Sequence, residues 1–229
     1  MLGHKKIAIF SPPRSGTKLL AGILKDFGYH VYSEWFAYRS MEIKHDHAVR
    51  RSVFAPEIYS ASEARFKHLA ESTKRYYLYK ELAKPDRGVI TIWPENLIEF
   101  PFMLYEFEDY HWACIRRNPW EQILSFYISS KNKNFNALLK NESVLFKEDA
   151  FRKMYWDYHH TCGLQDWLVE NRSTTLIDFE DLIKGTSNAF GVEYSVNSID
   201  ENSDLESLVE NLDDVKSWYQ KFEDIRLGN

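Results

Sequence analysis

The run Ser11-Pro12-Pro13-Arg14-Ser15-Gly16-Thr17-Lys18 gathers what an anion-binding loop needs. It follows a short apolar run, Ile7-Ala8-Ile9-Phe10, and precedes Leu19, Leu20, Ile23, Leu24 and Phe27 at helical spacing, with Gly28 closing the helix. The pattern predicts a buried strand, a loop and a helix in succession. Unpaired backbone N–H groups at a helix start, reinforced by the helix dipole, attract an anion. Gly16 lets the backbone approach closely, Ser15 and Thr17 offer hydroxyl donors, and Arg14 and Lys18 supply charge.

A second constellation lies near the middle of the chain. The strand-like run Trp112-Ala113-Cys114-Ile115 ends in Arg116-Arg117, and a helix follows at once. Asn118 is its N-cap, Pro119 occupies the first turn, and Glu121 is spaced to complete a capping box. Arg117 therefore stands at a strand end beside a helix N-terminus, a place suited to a phosphate monoester. Ser125 lies two turns beyond the cap on nearly the same helix face. Two separated anion sites ask for a ligand with phosphate groups at both ends. The first loop is phosphate-binding in kind but differs from the G-x-x-x-x-G-K-S/T loop of ATP- and GTP-using enzymes. Ser11 replaces the first glycine, Thr17 separates Gly16 from Lys18, and Leu19 stands where a magnesium-holding hydroxyl would be.

Pro13-Arg14-Ser15-Gly16-Thr17 resembles the 5′-phosphosulfate-binding loop of the PAPS-dependent sulfotransferases, P-K/R-S-G-T-T, with Lys18 in place of the last threonine. The segment from Arg116 to Tyr127 is similar to the 3′-phosphate-binding segment of the same family, in which an arginine is followed eight residues later by a serine, here Arg117 and Ser125. Leu176-Ile177-Asp178-Phe179-Glu180-Asp181-Leu182 resembles its late strand followed by Y/F-E-D-L, a structural segment, and Arg226-Leu227-Gly228 faintly resembles its terminal R-K-G. The resemblance implies an α/β fold: a three-layer, P-loop NTPase-like sandwich with a mostly parallel central sheet between helices. It also implies 3′-phosphoadenosine 5′-phosphosulfate (PAPS) as sulfuryl donor, with no metal. Arg14, Ser15, Gly16, Thr17, Lys18, Arg117 and Ser125 would bind the nucleotide, and Arg14 would also steady the bridging oxygen as it gains charge.

The acceptor hydroxyl needs a base. Glu34, in Glu34-Trp35-Phe36, resembles the glutamate that some bacterial carbohydrate sulfotransferases carry after the second strand. Its aromatic neighbours would desolvate the carboxylate and raise its pKa. Glu81, His45 and His47 are the alternatives. Residues 35–75 and 85–110 are expected to wall the acceptor pocket. Their aromatics (Trp35, Phe36, Tyr38, Trp93, Phe100, Phe102, Tyr105) suit a carbohydrate or other small hydroxylated acceptor, although core packing explains many of them equally well. The other functional readings are a P-loop kinase of a small molecule and a catalytically inactive sulfotransferase-like binding protein.

These groups have to be held by elements the rest of the chain must build. With 229 residues, 44% hydrophobic and 16% aromatic, the chain suits a single domain spanning 1–229. A net charge of -5 argues against a general nucleic-acid binder but leaves room for a local cationic cluster. Cys114 and Cys162 read as two reduced thiols, and His45, His47, His159 and His160 as solvated or partly packed rings rather than ligands. No stretch has the ~18 apolar residues of a membrane span, and the N-terminus lacks a signal peptide's apolar segment, so the expectation is a cytoplasmic protein without a membrane partner.

Further strands are expected at His30–Tyr32, Tyr76–Tyr79 and Thr174–Ile177, and helices at Ala61–Lys74, at about Glu148–Glu170 with a break near Gly163, from Glu180, and over Asp204–Phe222. Alternating strands and helices imply a parallel sheet with ligands beyond its carboxyl edge. The acidic, leucine-bearing C-terminal helix offers a surface for a homodimer, the oligomeric state being otherwise unreadable.

Overall fold

The computed structural model describes residues 1–32, 87–94, 97, 103–132, 142–186, 189 and 204–228. Its centre is strand β1, Lys6–Phe10, whose residues Ile7 to Phe10 are wholly buried. Around it lie β2 (His30–Tyr32), β3 (Gly88–Ile92), β4 (His111–Arg116) and β5 (Thr174–Asp178). All neighbours are parallel, in the order β2-β3-β1-β4-β5. Such a sheet needs covering on both faces, which is why β1, β3 and β4 read as apolar runs rather than alternating ones.

The helices supply that cover. Ile7, Ile9, Val89, Ala113 and Ile115 face α1 (Thr17–Asp26), through Leu20, Ile23 and Leu24, and α5 (Phe179–Ile183), through Phe179 and Leu182. On the other face Ala8, Phe10, Ile90, Trp112 and Cys114 pack with Phe107 and Tyr110, which follow the short α2 (Met103–Glu106), and with Leu168 of α4 (Glu148–Asn171). A third cluster joins α3 (Pro119–Lys131), α4 and α6 (Leu212–Leu227) through Tyr127, Phe151, Tyr155, Val215 and Phe222. This is the expected three-layer α/β sandwich, with both strand–loop–helix junctions of interest at the carboxyl edge of neighbouring strands.

Several expectations need correction. Gly88–Ile92, placed by sequence in a pocket wall, is the core strand next to β1, and Leu97, Phe107 and Tyr110 are also buried in the core. Tyr105 is 73% exposed. Helix α4 runs unbroken through Gly163, because the buried side chains on either side (Phe151, Tyr155, Tyr158, Leu168) offset the ~1 kcal/mol a helical glycine costs. The C-terminal helix starts later and ends later than its periodicity predicts. Glu206–Leu208 is a 3-10 turn, and Val209 pairs with Val144 before α6 begins. Leu205, Leu208 and Leu212 are partly buried and pack against the third cluster. The expected helix at Ala61–Lys74 and strand at Tyr76–Tyr79 lie outside the described residues. Cys114 and Cys162 are both free thiols. Among the described residues no helix is long and apolar enough to cross a membrane.

Two polar links tie the sheet at opposite ends. At the carboxyl end, Gln165 of α4, fully buried, donates from Nε2 to Phe10 O (3.3 Å) and Ile115 O (3.1 Å), and its Oε1 accepts from Arg116 Nε at 3.1 Å. It thereby holds the ends of β1 and β4 together just below the loops that follow them. At the amino end, His111 bonds Ser173 Oγ through Nδ1 (2.8 Å) and Thr175 Oγ1 through Nε2 (2.7 Å), with the His4 ring stacked on it at 3.9 Å. Burial, then His4, then the N-terminal ammonium push its pKa from 6.5 down to about 4. The unfolded chain therefore takes up a proton on this ring where the folded one does not. Its contribution to stability is full above 6.5 and is lost as the pH falls toward 4. Urea midpoints measured between pH 7 and 4.5 should fall more steeply for the wild type than for His111→Asn, and equal slopes would refute this assignment.

Candidate anion-binding site

The chain leaves β1 through Ser11, which is buried. Its Oγ donates to Phe10 O (2.7 Å) and accepts from Ile115 N (2.8 Å), extending the link between β1 and β4 past their last paired residues. Sequence reasoning registered Ser11 only as a missing glycine. The loop then turns through Arg14 at φ 68° and Gly16 at φ 86°, both in the left-handed region. Gly16 is the N-cap of α1 and provides no side-chain cap, so the first-turn amides face whatever the loop encloses. Ser15 Oγ and Thr17 Oγ1 are buried with no hydrogen-bond partner among the described residues. Unsatisfied donors at a helix start with a curled approach are what an oxyanion satisfies. Lys18, by contrast, is exposed on the first turn of α1, and Leu19 is half-buried against the core cluster of that face.

Arg117 follows the end of β4. Asn118 caps α3 by accepting from Glu121 N at 3.3 Å. The expected capping box is only half made, because the Glu121 carboxylate instead pairs with Arg117 Nη2 at 3.2 Å, and Asn118 N meets Glu180 Oε1 at 3.5 Å. The guanidinium of Arg117 lies 4.6 Å from the Phe179 ring centroid. It donates from Nη1 to Arg14 O at 3.4 Å, and its buried Nε has no partner among the described residues. Tyr158 Oη donates to Arg117 O at 2.6 Å and so fixes the backbone from α4. Ser125, buried, accepts from Arg14 Nε at 3.1 Å, and Gln122 Nε2 donates to Pro13 O.

The two anion sites read from sequence are therefore not separated. The Arg14 side chain runs from the loop to Ser125, and Arg117 reaches back to the loop, so they form one continuous cationic patch. Burial, and next the positive charge of Arg117, lower the Arg14 pKa. Arginine stays protonated even so, and the shift records a guanidinium held in a place that favours a nearby anion.

Phe179 was missed. A Cβ at Gly16 would meet its Cδ2 and Cε2 at 2.7 Å, and the same ring underlies Arg117. It is held there by α5, whose N-cap Asp178 accepts from Glu180 N at 2.9 Å. Only the F-E-D-L run, read as structural, pointed toward it. Arg226 is not part of the patch: it donates to Glu223 (2.6 Å) and to Tyr155 Oη (3.2 Å), between α6 and α4. His159 is half-buried in the same α4–α6 contact, 3.4 Å from Glu223 Oε1, while His160 is exposed. Glu34, Glu81, His45 and His47 lie outside the described residues.

No protein-family profile matches the chain, and no curated protein matches it. Among solved structures it is similar to TT1252 from Thermus thermophilus, at 15% identity and TM-score 0.42, over 78% of this chain and 92% of that one. It is also similar to deoxyadenosine kinase from M. mycoides with bound dCTP, at 11% identity and TM-score 0.38, over 76% and 90%. An uncharacterized protein from Eubacterium ventriosum is similar at 12% identity and TM-score 0.34, over 79% and 97%. Likeness at this level concerns chain path and says nothing of ligand or reaction.

Gly16→Ala puts a side chain into a left-handed position and against the Phe179 ring. It should destabilise the fold by about 1 kcal/mol or more and abolish anion binding at the loop. Denaturant melts with and without inorganic pyrophosphate check both, and a variant still stabilised by pyrophosphate would disprove the close-approach role of Gly16.

Proposed function

We propose that the chain is a sulfotransferase that uses PAPS as its donor. The observation that carries this reading is the contact between Arg14 and Ser125. It joins the loop that resembles a 5′-phosphosulfate cradle to the helix that resembles a 3′-phosphate site. The donors present fit such a ligand: Ser15 Oγ and Thr17 Oγ1 are buried without partners among the described residues, as is Nε of Arg117, whose guanidinium lies near that of Arg14. On this reading Arg14, Ser15, Gly16 and Thr17 hold the 5′ end, with Lys18 adding charge from the first turn of α1. Arg117 and Ser125 hold the 3′-phosphate.

The donor supplies an activated sulfuryl group. The acceptor hydroxyl oxygen forms the new S–O bond, the bond to the 5′-phosphate oxygen breaks, and 3′,5′-adenosine diphosphate leaves. Arg14 stabilises the charge that develops on the bridging oxygen. Glu34 takes the acceptor proton, with Glu81, His45 and His47 as the alternatives, and the acceptor is a carbohydrate or other small hydroxylated molecule.

A P-loop kinase of a small molecule is the second reading. A helix start open to an anion after the central β1 strand suits a nucleoside triphosphate too. Counted from Gly16, the position of a magnesium-holding hydroxyl carries Lys18, exposed on the first turn of α1, which favours the first reading.

Calorimetric titration separates the readings. The sulfotransferase should bind 3′,5′-adenosine diphosphate more tightly than ATP, with or without magnesium. Preference for magnesium–ATP would establish the kinase instead, and weak binding of both would point to a non-catalytic relative. Arg117→Ala should weaken 3′,5′-adenosine diphosphate about tenfold or more, the value of a charge-assisted hydrogen bond. Glu34→Gln should lower sulfuryl turnover ~100-fold while nucleotide affinity stays near the wild-type value, and near-normal turnover would rule Glu34 out as base.

A further inference from the structure

Arg14 sits at φ 68°, a backbone region that residues bearing side chains rarely adopt. The two peptide groups flanking it are each held through a carbonyl. Pro13 O accepts from Gln122 Nε2, and Arg14 O accepts from Arg117 Nη1 at 3.4 Å. In a trans peptide the carbonyl and the next N–H point in opposite directions. Anchoring the Pro13 carbonyl on α3 therefore turns the Arg14 N–H away from α3, and anchoring the Arg14 carbonyl on Arg117 does the same for the Ser15 N–H. Pro12 and Pro13 have no N–H to offer, so the Pro13 carbonyl is the available handle at this corner of the loop.

Gln122 is buried, with 3% exposure, and lies three residues before Ser125 on α3. From adjacent turns, one helix thus grips the backbone of the loop through Gln122 and the Arg14 side chain through Ser125. A carboxamide in so dry a place carries a desolvation cost that its bond to Pro13 offsets. An apolar side chain of similar size would fill the position without that cost.

We infer that Gln122 is a positioning residue for the anion loop: its carboxamide sets the Pro13–Arg14 peptide so that the Arg14 and Ser15 amides are presented to the 5′ end of the nucleotide. The inference rests on the nucleotide reading of the site. It makes the binding power of the loop depend on a side chain outside the loop, in the helix that carries the other subsite.

The test compares half-ligands. Gln122→Met keeps the volume and removes the donor. The variant should bind 5′-AMP and 3′,5′-adenosine diphosphate about tenfold more weakly than the wild type, while 3′-AMP, held through Arg117 and Ser125, changes less than about twofold. Equal weakening of all three, in step with a lower Tm, would mean a structural role only, and no change in any would also overturn the inference. Gln122→Asn keeps the amide but withdraws it by one methylene, and it should show the same split even if the methionine variant fails to fold. If the wild type prefers ATP to 3′,5′-adenosine diphosphate, the sulfuryl reading falls, and the loss in Gln122→Met is then read on ATP. A wild type that binds none of these nucleotides overturns both.

Discussion

Two guanidinium groups, those of Arg14 and Arg117, are held side by side at the carboxyl edge of the sheet, and much of the molecule serves to keep them there. Like charges brought together in a half-buried place repel, and burial first and the charge of Arg117 second lower the Arg14 pKa. The repulsion is contained by geometry. Arg14 is fastened to Ser125, and Arg117 lies over the Phe179 ring and pairs with Glu121. The backbones that carry both arginines grow from β1 and β4, which Gln165 and Ser11 tie together at their ends. A chain whose net charge is -5 thus concentrates positive charge at one point, where an anion gains most from it.

The layers explain why this point lies where it does. β1 and β4 are adjacent and parallel, so their carboxyl ends deliver two loops to one place. α5 then brings Phe179 beneath both loops. One ring limits the residue at position 16 to glycine and also supports the cation at position 117. Changes in α5 are therefore transmitted to both halves of the patch, although no residue of α5 belongs to either motif.

The groups that were legible in the sequence are those whose chemistry is local. Arg14 to Thr17 sit between a strand and a helix that their neighbours already specify, and Arg117 and Ser125 are related by helical spacing. Residues that act through tertiary contact could not be read in this way. Ser11 looked like an absent glycine and is an interstrand bridge. Gln122 and Gln165 looked like ordinary helix residues and are bound to backbone carbonyls more than forty positions away. Gly88-Val89-Ile90-Thr91-Ile92 behind Pro85-Asp86 carries an ordinary strand signal, which the aromatic residues that follow it mask. The separation of the two anion sites was overestimated for a related reason, since sequence distance carries no information about the reach of the Arg14 side chain.

The departures of the first loop from a triphosphate-binding loop are positive features rather than losses. Where a glycine would begin such a loop, the Ser11 hydroxyl joins β1 to β4, so the loop starts from a pinned edge. Counted from Gly16, the position that would hold magnesium through a hydroxyl is taken by Lys18, exposed on the first turn of α1. The loop and its neighbour supply two arginines within reach of one another. Because Arg14 is drawn toward Ser125 by its own side chain, the charge of the loop extends along α3 rather than ending at the helix start.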